Sequence, residues 1–233
     1  MNGENPVKTE YFECLPSTQE YVKSKRSDGC PLLVFADYQT GGKGTKGRLF
    51  SSDKGGVYLS KLSFYEDFSA KNAFLIMASA AVAVCETLRY FGLTPVIKWA
   101  NDIFVNDKKI CGILVENTLS GNKISSSVVG VGLNVCNSLP SELADIATSM
   151  QVETGNIFSV TEVRERLILE LNKERSMQEY LSFIGYMGRS AVLLFGDERV
   201  PATLLSVDEE GGLLVEINGE TKRLTSVEVS LRI

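Results

Sequence analysis

The sequence predicts an α+β fold: a mixed sheet with flanking helices, followed by a small β-barrel. Three observations predict it. Apolar runs of strand length recur from Leu32 onward and are interrupted by one long, mostly apolar helical stretch, Ala70 to Phe91. A second helical pattern places Val160, Val163, Leu167 and Leu171 on one face. Beyond Arg189 the segments shorten, and turns containing Gly196-Asp197, Gly211-Gly212 and Asn218-Gly219 separate them.

Residues 1–10 lead into a first strand. Ser17-Thr18-Gln19-Glu20 has the capping-box pattern and opens a short helix to about Lys25. Leu32 to Tyr38 is an apolar strand that runs into a glycine-rich loop. Gly56 to Ser63 alternates as a strand, and Ser69 caps the long helix. Val96 to Trp99 and Ile110 to Glu116 are strands around a polar connection, and Lys123 to Val135 is another. Ser159-Val160-Thr161-Glu162 is a second capping box. The short strands Ala191–Phe195, Val200–Val207, Leu213–Ile217, Lys222–Thr225 and Glu228–Arg232 make an SH3-like barrel. The expected division is 1–186 for the larger domain and 187–233 for the barrel.

The chain has 233 residues, 44% hydrophobic and 23% charged, with a net charge of −5. That composition fits a globular protein and gives no basic footprint for nucleic acid. Histidine is absent, which excludes Ser-His-Asp and Cys-His catalysis and His-ligated metals. The five cysteines include no C-x-x-C, so neither a zinc site nor a redox pair is expected. Residues 1–14 mix charged and polar groups, so no secretory leader is expected. The apolar run Phe74 to Cys85 is too short to span a bilayer, and no membrane partner is expected.

Two segments concentrate polar chemistry. Gly41-Gly42-Lys43-Gly44-Thr45-Lys46-Gly47-Arg48 alternates glycine with cation. Glycines let the backbone approach a ligand, and three cations so close together repel unless an anion sits among them. The alternative is a solvated basic turn. A Walker loop is excluded, because Gly42-Lys43 is followed by Gly44 rather than Ser or Thr. The second segment is Lys98-Trp99-Ala100-Asn101-Asp102, with Lys109 opening Ile110-Cys111-Gly112-Ile113-Leu114 soon after. Asn101 and Asp102 can face a ligand or form an ordinary turn. Lys109 at a strand mouth beside Gly112 can meet an anion or snorkel to solvent. Gly130-Val131-Gly132-Leu133-Asn134 marks a close approach or a bulge.

Taken in order, Ser17-Thr18-Gln19, the 39–48 loop, Lys98 to Asp102, Lys109 to Glu116 and Gly130 to Asn134 resemble the biotin protein ligases. The resemblance runs from about residue 10 to Val229-Ser230-Leu231-Arg232. It is to the short form of the family, which lacks an N-terminal DNA-binding domain, so no repressor role is expected. It implies a class II synthetase-like core and a two-step use of biotin, ATP and Mg²⁺, ending on a biotin carboxyl carrier domain. It implies catalytic roles for Lys109, Asp102 and Arg48. Biotin would meet Ser17, Thr18, Gln39, Gly42, Lys43, Lys109, Gly112 and Leu114. The nucleotide would meet Lys43, Thr45, Lys46, Arg48, Asn101, Asn134 and Arg232. The resemblance further implies a cytoplasmic enzyme and leaves a homodimer open.

Two departures stand out. The family's loop is usually Gly-Arg-Gly-Arg-Arg-Gly-Arg, whereas this chain has Lys43, Thr45, Lys46 and Arg48 at its cationic positions. One charge is lost, and lysine lacks arginine's bidentate fork. The usual Trp-Pro-Asn-Asp reads Trp99-Ala100-Asn101-Asp102. The lipoate ligases, with an Arg-Arg-x-x-Gly-Gly-Gly loop and a His-x-Asp, fit less well. A binding-only sensor is the reading from another class, and the presence of Lys109, Asn101 and Asp102 argues against it.

Overall fold

A computed structural model describes residues 7–196, 198–226 and 230–232. In chain order its elements are β1 (Lys8–Leu15), α1 (Thr18–Ser24), β2 (Leu32–Gln39), β3 (Val57–Ser69), α2 (Ala73–Tyr90), β4 (Val96–Lys98), β5 (Asp102–Val105), β6 (Lys108–Ser120), β7 (Lys123–Leu133), α3 (Met150–Thr154), α4 (Val160–Leu171) and α5 (Met177–Ser182). The strands β8 (Ser190–Phe195), β9 (Glu198–Val207), β10 (Leu213–Ile217), β11 (Glu220–Leu224) and β12 (Ser230–Arg232) follow.

The first seven strands form one mixed sheet in the order β1-β2-β3-β7-β6-β5-β4. Only its β1–β2 pair is parallel. Period-two alternation divides its faces. Leu33, Leu59, Val129 and Val131 turn toward the large core with α2 and α4, whereas Leu32, Val34, Leu62 and Val128 form a smaller cluster with Val22 of α1. The long helix is α2, buried along most of its length, preceded by a 3-10 turn at Ala70–Asn72. Ser69 caps that turn by accepting from the Lys71 N–H.

The last five strands form a small antiparallel sheet in the order β11-β10-β9-β8-β12. Asn218 and Gly219 both adopt positive φ, at 52° and 81°, as the two-residue hairpin between β10 and β11 requires. The apolar residues of this sheet, including Leu193, Leu204 and Val215, belong to the same core as α2 and β6.

The structure corrects several element expectations. The polar connection after Trp99 contains a strand, β5, and β3 continues to Ser69. Ser17 and Ser159 cap α1 and α4 by accepting from the Glu20 and Glu162 N–H groups. The reciprocal box forms instead at Ser176, whose hydroxyl accepts from Glu179 N–H while the Glu179 carboxylate accepts from Ser176 N–H. It opens α5, which the periodicity alone does not announce.

Candidate active site

On the α1 side of the large sheet, alternation brings Ser60, Gly112, Leu114, Gly130 and Gly132 to one face. Gly112 pairs with Gly132, Leu114 with Gly130, and Gly130 with Ser60, so they form a continuous patch. This patch is the floor of a cleft of about 470 Å³, measured with its open mouth. The glycines are required by what lies on them. A Cβ at Gly132 would sit 2.6 Å from the Phe50 ring, and one at Gly130 would sit 2.4 Å from Gln19 Oε1.

One wall is polar and buried. The Thr18 N–H donates to Gln39 Oε1 at 2.7 Å, and Gln39 Nε2 donates to Ser52 Oγ at 2.9 Å. Thr18 Oγ1 lies 3.1 Å from Gln39 Oε1 and 2.9 Å from Ser60 Oγ, which in turn lies 3.2 Å from Gln19 Oε1. Two hydroxyl protons serve these three contacts, so the cluster has acceptor capacity for a ligand's N–H. Gln19 Nε2 donates to Glu116 Oε2 at 2.8 Å, and Lys23 Nζ meets Glu116 Oε1 at 2.8 Å. Burial raises the Glu116 pKa, but hydrogen bonds from Lys23 and Gln19 outweigh it and hold the carboxyl below its ordinary value.

The opposite side is cationic. Lys109 Nζ lies 2.6 Å from Asp102 Oδ1, both side chains being about one-third exposed. One of its three donors is thereby engaged, and the ammonium lies 5.9 Å from the Phe50 ring centroid. Asn101 is clamped to β6, its Nδ2 donating to Ile113 O at 2.8 Å and its carbonyl accepting from Ile113 N–H at 3.1 Å. The loop closes as a small hairpin through Gly44 N–H to Arg48 O and Phe50 N–H to Gly42 O. Lys43, Gly44 and Thr45 line the cleft.

The structure thus brings Ser17, Thr18, Gln39, Lys43, Thr45, Asn101, Lys109, Gly112 and Leu114 to one cleft. The remaining candidates lie elsewhere. Gly42 is packed beneath the hairpin, where a Cβ would be 2.5 Å from Phe50 O. Lys46 and Arg48 are exposed outside the lining, and Arg48 folds back so that Nη2 meets Thr45 Oγ1 at 3.2 Å. Asn134 is buried away from the cleft, its amide spent on Thr148 O at 3.0 Å and Asn137 Nδ2 at 3.1 Å. The Arg232 side chain lies outside the described residues. Sequence reasoning gave no role to Gln19 and missed Ser60 and Phe50. Ser60 had a signal, a small polar residue on the same strand face as Tyr58 and Leu62, whereas nothing singles out Phe50.

A seven-stranded mixed sheet whose glycine floor lies between an amide–hydroxyl wall and a cationic loop defines an enzyme class by fold and site together. Residues 11–134 match the biotin/lipoate A/B protein ligase family, and the chain belongs to that family. Its relatives include the Bacillus subtilis bifunctional ligase/repressor BirA, 32% identical over 95% of this chain and 73% of that one. The biotin–[acetyl-CoA-carboxylase] ligase of Paracoccus denitrificans is 29% identical over 53% of this chain and 54% of its own length. Among solved structures, the Aquifex aeolicus biotin protein ligase in complex with biotin and ATP superposes with a TM-score of 0.76. It is 29% identical and covers 97% of this chain and 98% of its own.

Proposed function

We propose that this chain is an ATP-dependent biotin–protein ligase that forms biotinyl-5′-AMP and transfers the biotinyl group to a lysine of a biotin carboxyl carrier domain. The observation that carries this reading is the position of Lys109, paired with Asp102, in one cleft with the amide–hydroxyl wall and the Lys43–Thr45 stretch of the cationic loop. In the first step a biotin carboxylate oxygen bonds to the α-phosphorus of ATP, and the bond to the β-phosphate bridging oxygen breaks to release pyrophosphate. Two anions must approach each other. The two free donors of Lys109 serve one oxygen of each, and stabilisation of this kind is often the largest catalytic contribution. In the second step the acceptor ε-amine bonds to the acyl carbon, the acyl–oxygen bond to AMP breaks, and the amine loses a proton. Asp102 orients that amine or takes its proton.

The wall suits a ring that offers N–H and C=O groups. Ser17, Thr18, Gln39 and Ser60 meet the biotin head group, and Gly112 and Leu114 pass its chain over the floor. Lys43 and Thr45 face the adenylate, and Lys46 and Arg48 reach it when the hairpin closes. Mg²⁺ is used with ATP. Among the described residues no group of three acidic or sulfur ligands gathers to hold a cation. The ion would instead be carried on the substrate phosphates, with Asp102 the nearest cleft carboxylate available to it, and would there supply neutralisation of triphosphate charge.

The test is exchange of labelled pyrophosphate into ATP with biotin or lipoate. Exchange with biotin alone supports the reading, and exchange with lipoate alone overturns it. Biotin binding without exchange would make the protein a sensor. Label transfer to an isolated carrier domain then tests the acceptor.

A further inference from the structure

Four consecutive residues at the 99–102 turn are tied to surrounding elements, Trp99 and Ala100 to parts of the chain beyond residue 176 and Asn101 and Asp102 both to β6. The Trp99 N–H donates to the Tyr186 hydroxyl, and the Trp99 indole N–H donates to Gly211 O at 3.0 Å. Tyr180 Oη donates to Ala100 O at 3.0 Å. Asn101 is clamped to Ile113, and Asp102 to Lys109. Tyr180 sits in α5, Tyr186 in the segment leading to β8, and Gly211 in the turn between β9 and β10. None of the three lines the cleft.

This junction is built to fixed dimensions. Tyr180 is fully buried, Tyr186 is 3% exposed and Trp99 is 6% exposed. Phe74 packs edge-on against Tyr180, with centroids 5.3 Å apart. A Cβ at Gly211 would lie 2.1 Å from the Phe74 ring, and the φ of +84° already favours glycine. Burial raises both phenols above their ordinary value, so each hydroxyl keeps its proton, and the charge of Asp102 adds to the rise at Tyr186. Buried hydroxyls held in this way fix backbone position, because leaving the partner carbonyl or N–H unpaired is unfavourable.

We infer that Tyr180 and Tyr186, together with the Gly211 carbonyl of the small sheet, are positioning residues that set the Lys109–Asp102 pair through the 99–102 turn. The small sheet is then part of the reaction apparatus although it supplies no cleft-lining side chain among the described residues. The inference deepens the adenylation reading and rests on it. It differs from a folding role because its effect must pass through Asp102.

The experiment compares Tyr180→Phe, Tyr186→Phe and Trp99→Phe in the full chain, each alone and combined with Asp102→Asn. Biotin-dependent pyrophosphate exchange and biotin binding by calorimetry are measured below the unfolding midpoint of each variant. Each phenylalanine variant should lose about tenfold in kcat, the equivalent of one hydrogen bond of about 1.4 kcal/mol, with the Kd for biotin unchanged. In the Asp102→Asn background the same substitutions should cost little, since coupled residues are non-additive. A lowered midpoint with unchanged kcat, or equal losses in both backgrounds, overturns the inference. Trp99→Phe decides the matter if a tyrosine variant fails to fold. Wild-type protein without exchange would instead remove the adenylation reading.

Discussion

The two sides of the cleft are built on opposite plans. On the wall, Ser17, Thr18, Gln19 and Ser60 are buried, and their hydrogen bonds are made before any ligand arrives. In the loop, Lys43, Lys46 and Arg48 are exposed, and the hairpin's contacts run mainly between its own residues. A bonded, buried wall selects, because a ligand lacking the matching group leaves a buried atom unpaired at about 1–3 kcal/mol. Exposed cations on glycine hinges select weakly but can rearrange around an anion. Under the proposed function, the wall would discriminate the acid and the loop would retain its adenylate. Lys109 stands where the two meet.

The largest effect should come at that meeting point. Lys109→Ala is expected to reduce biotin-dependent pyrophosphate release by about 10²–10³-fold with little change in the unfolding midpoint. Near-normal release would place the chemistry elsewhere. Damage to the wall alone should be smaller and confined to one substrate. Gln39→Ala, which leaves the Thr18 N–H without its acceptor, should raise KM for biotin about 10–100-fold. An equal rise in KM for ATP would end the division of labour between wall and loop.

Acid should sharpen the contrast further. The Glu116 carboxyl is held below its ordinary value of 4.5 in the folded protein. Its contribution is therefore complete above that value and is lost as pH falls through the lower folded value. Biotin affinity, followed by calorimetry on the acid side, should weaken there for wild type, whereas Glu116→Gln should show no such limb. The smallest effect belongs to the loop. Thr45→Arg restores a cation and should slow dissociation of biotinyl-AMP about two- to fivefold, measured by displacement with excess biotin. An unchanged rate would mean that the missing charge has no part in retention.

The sequence made the strand and helix inventory legible where the apolar periodicity was strong, as in α2, α4 and the hairpin at Asn218-Gly219. It was less legible where partners distant in the chain decide the structure. Asp102 to Val105 reads as the end of a turn until Gly112 and Cys111 pair with it. Asn134 reads like a ligand contact because it follows two glycines, yet Thr148 and Asn137 take its amide. Ser176-Met177-Gln178-Glu179 carried a full capping signal ahead of a helix too short to show a period. The cleft's ordered motifs were readable one by one. Phe50 lying on Gly112 and Gly132 was not, since only the folded hairpin puts its ring there.

Trp99 is the only tryptophan in the chain, and it stands between the catalytic turn and the small sheet. The molecule therefore carries a single indole, excitable apart from its tyrosines, at the junction between the two sheets. Its emission reports on one place rather than an average over several. A shift on adding biotin, or on adding ATP afterwards, would follow the indole's surroundings in real time without a label, and separation of the small sheet would register as exposure of that one ring to water.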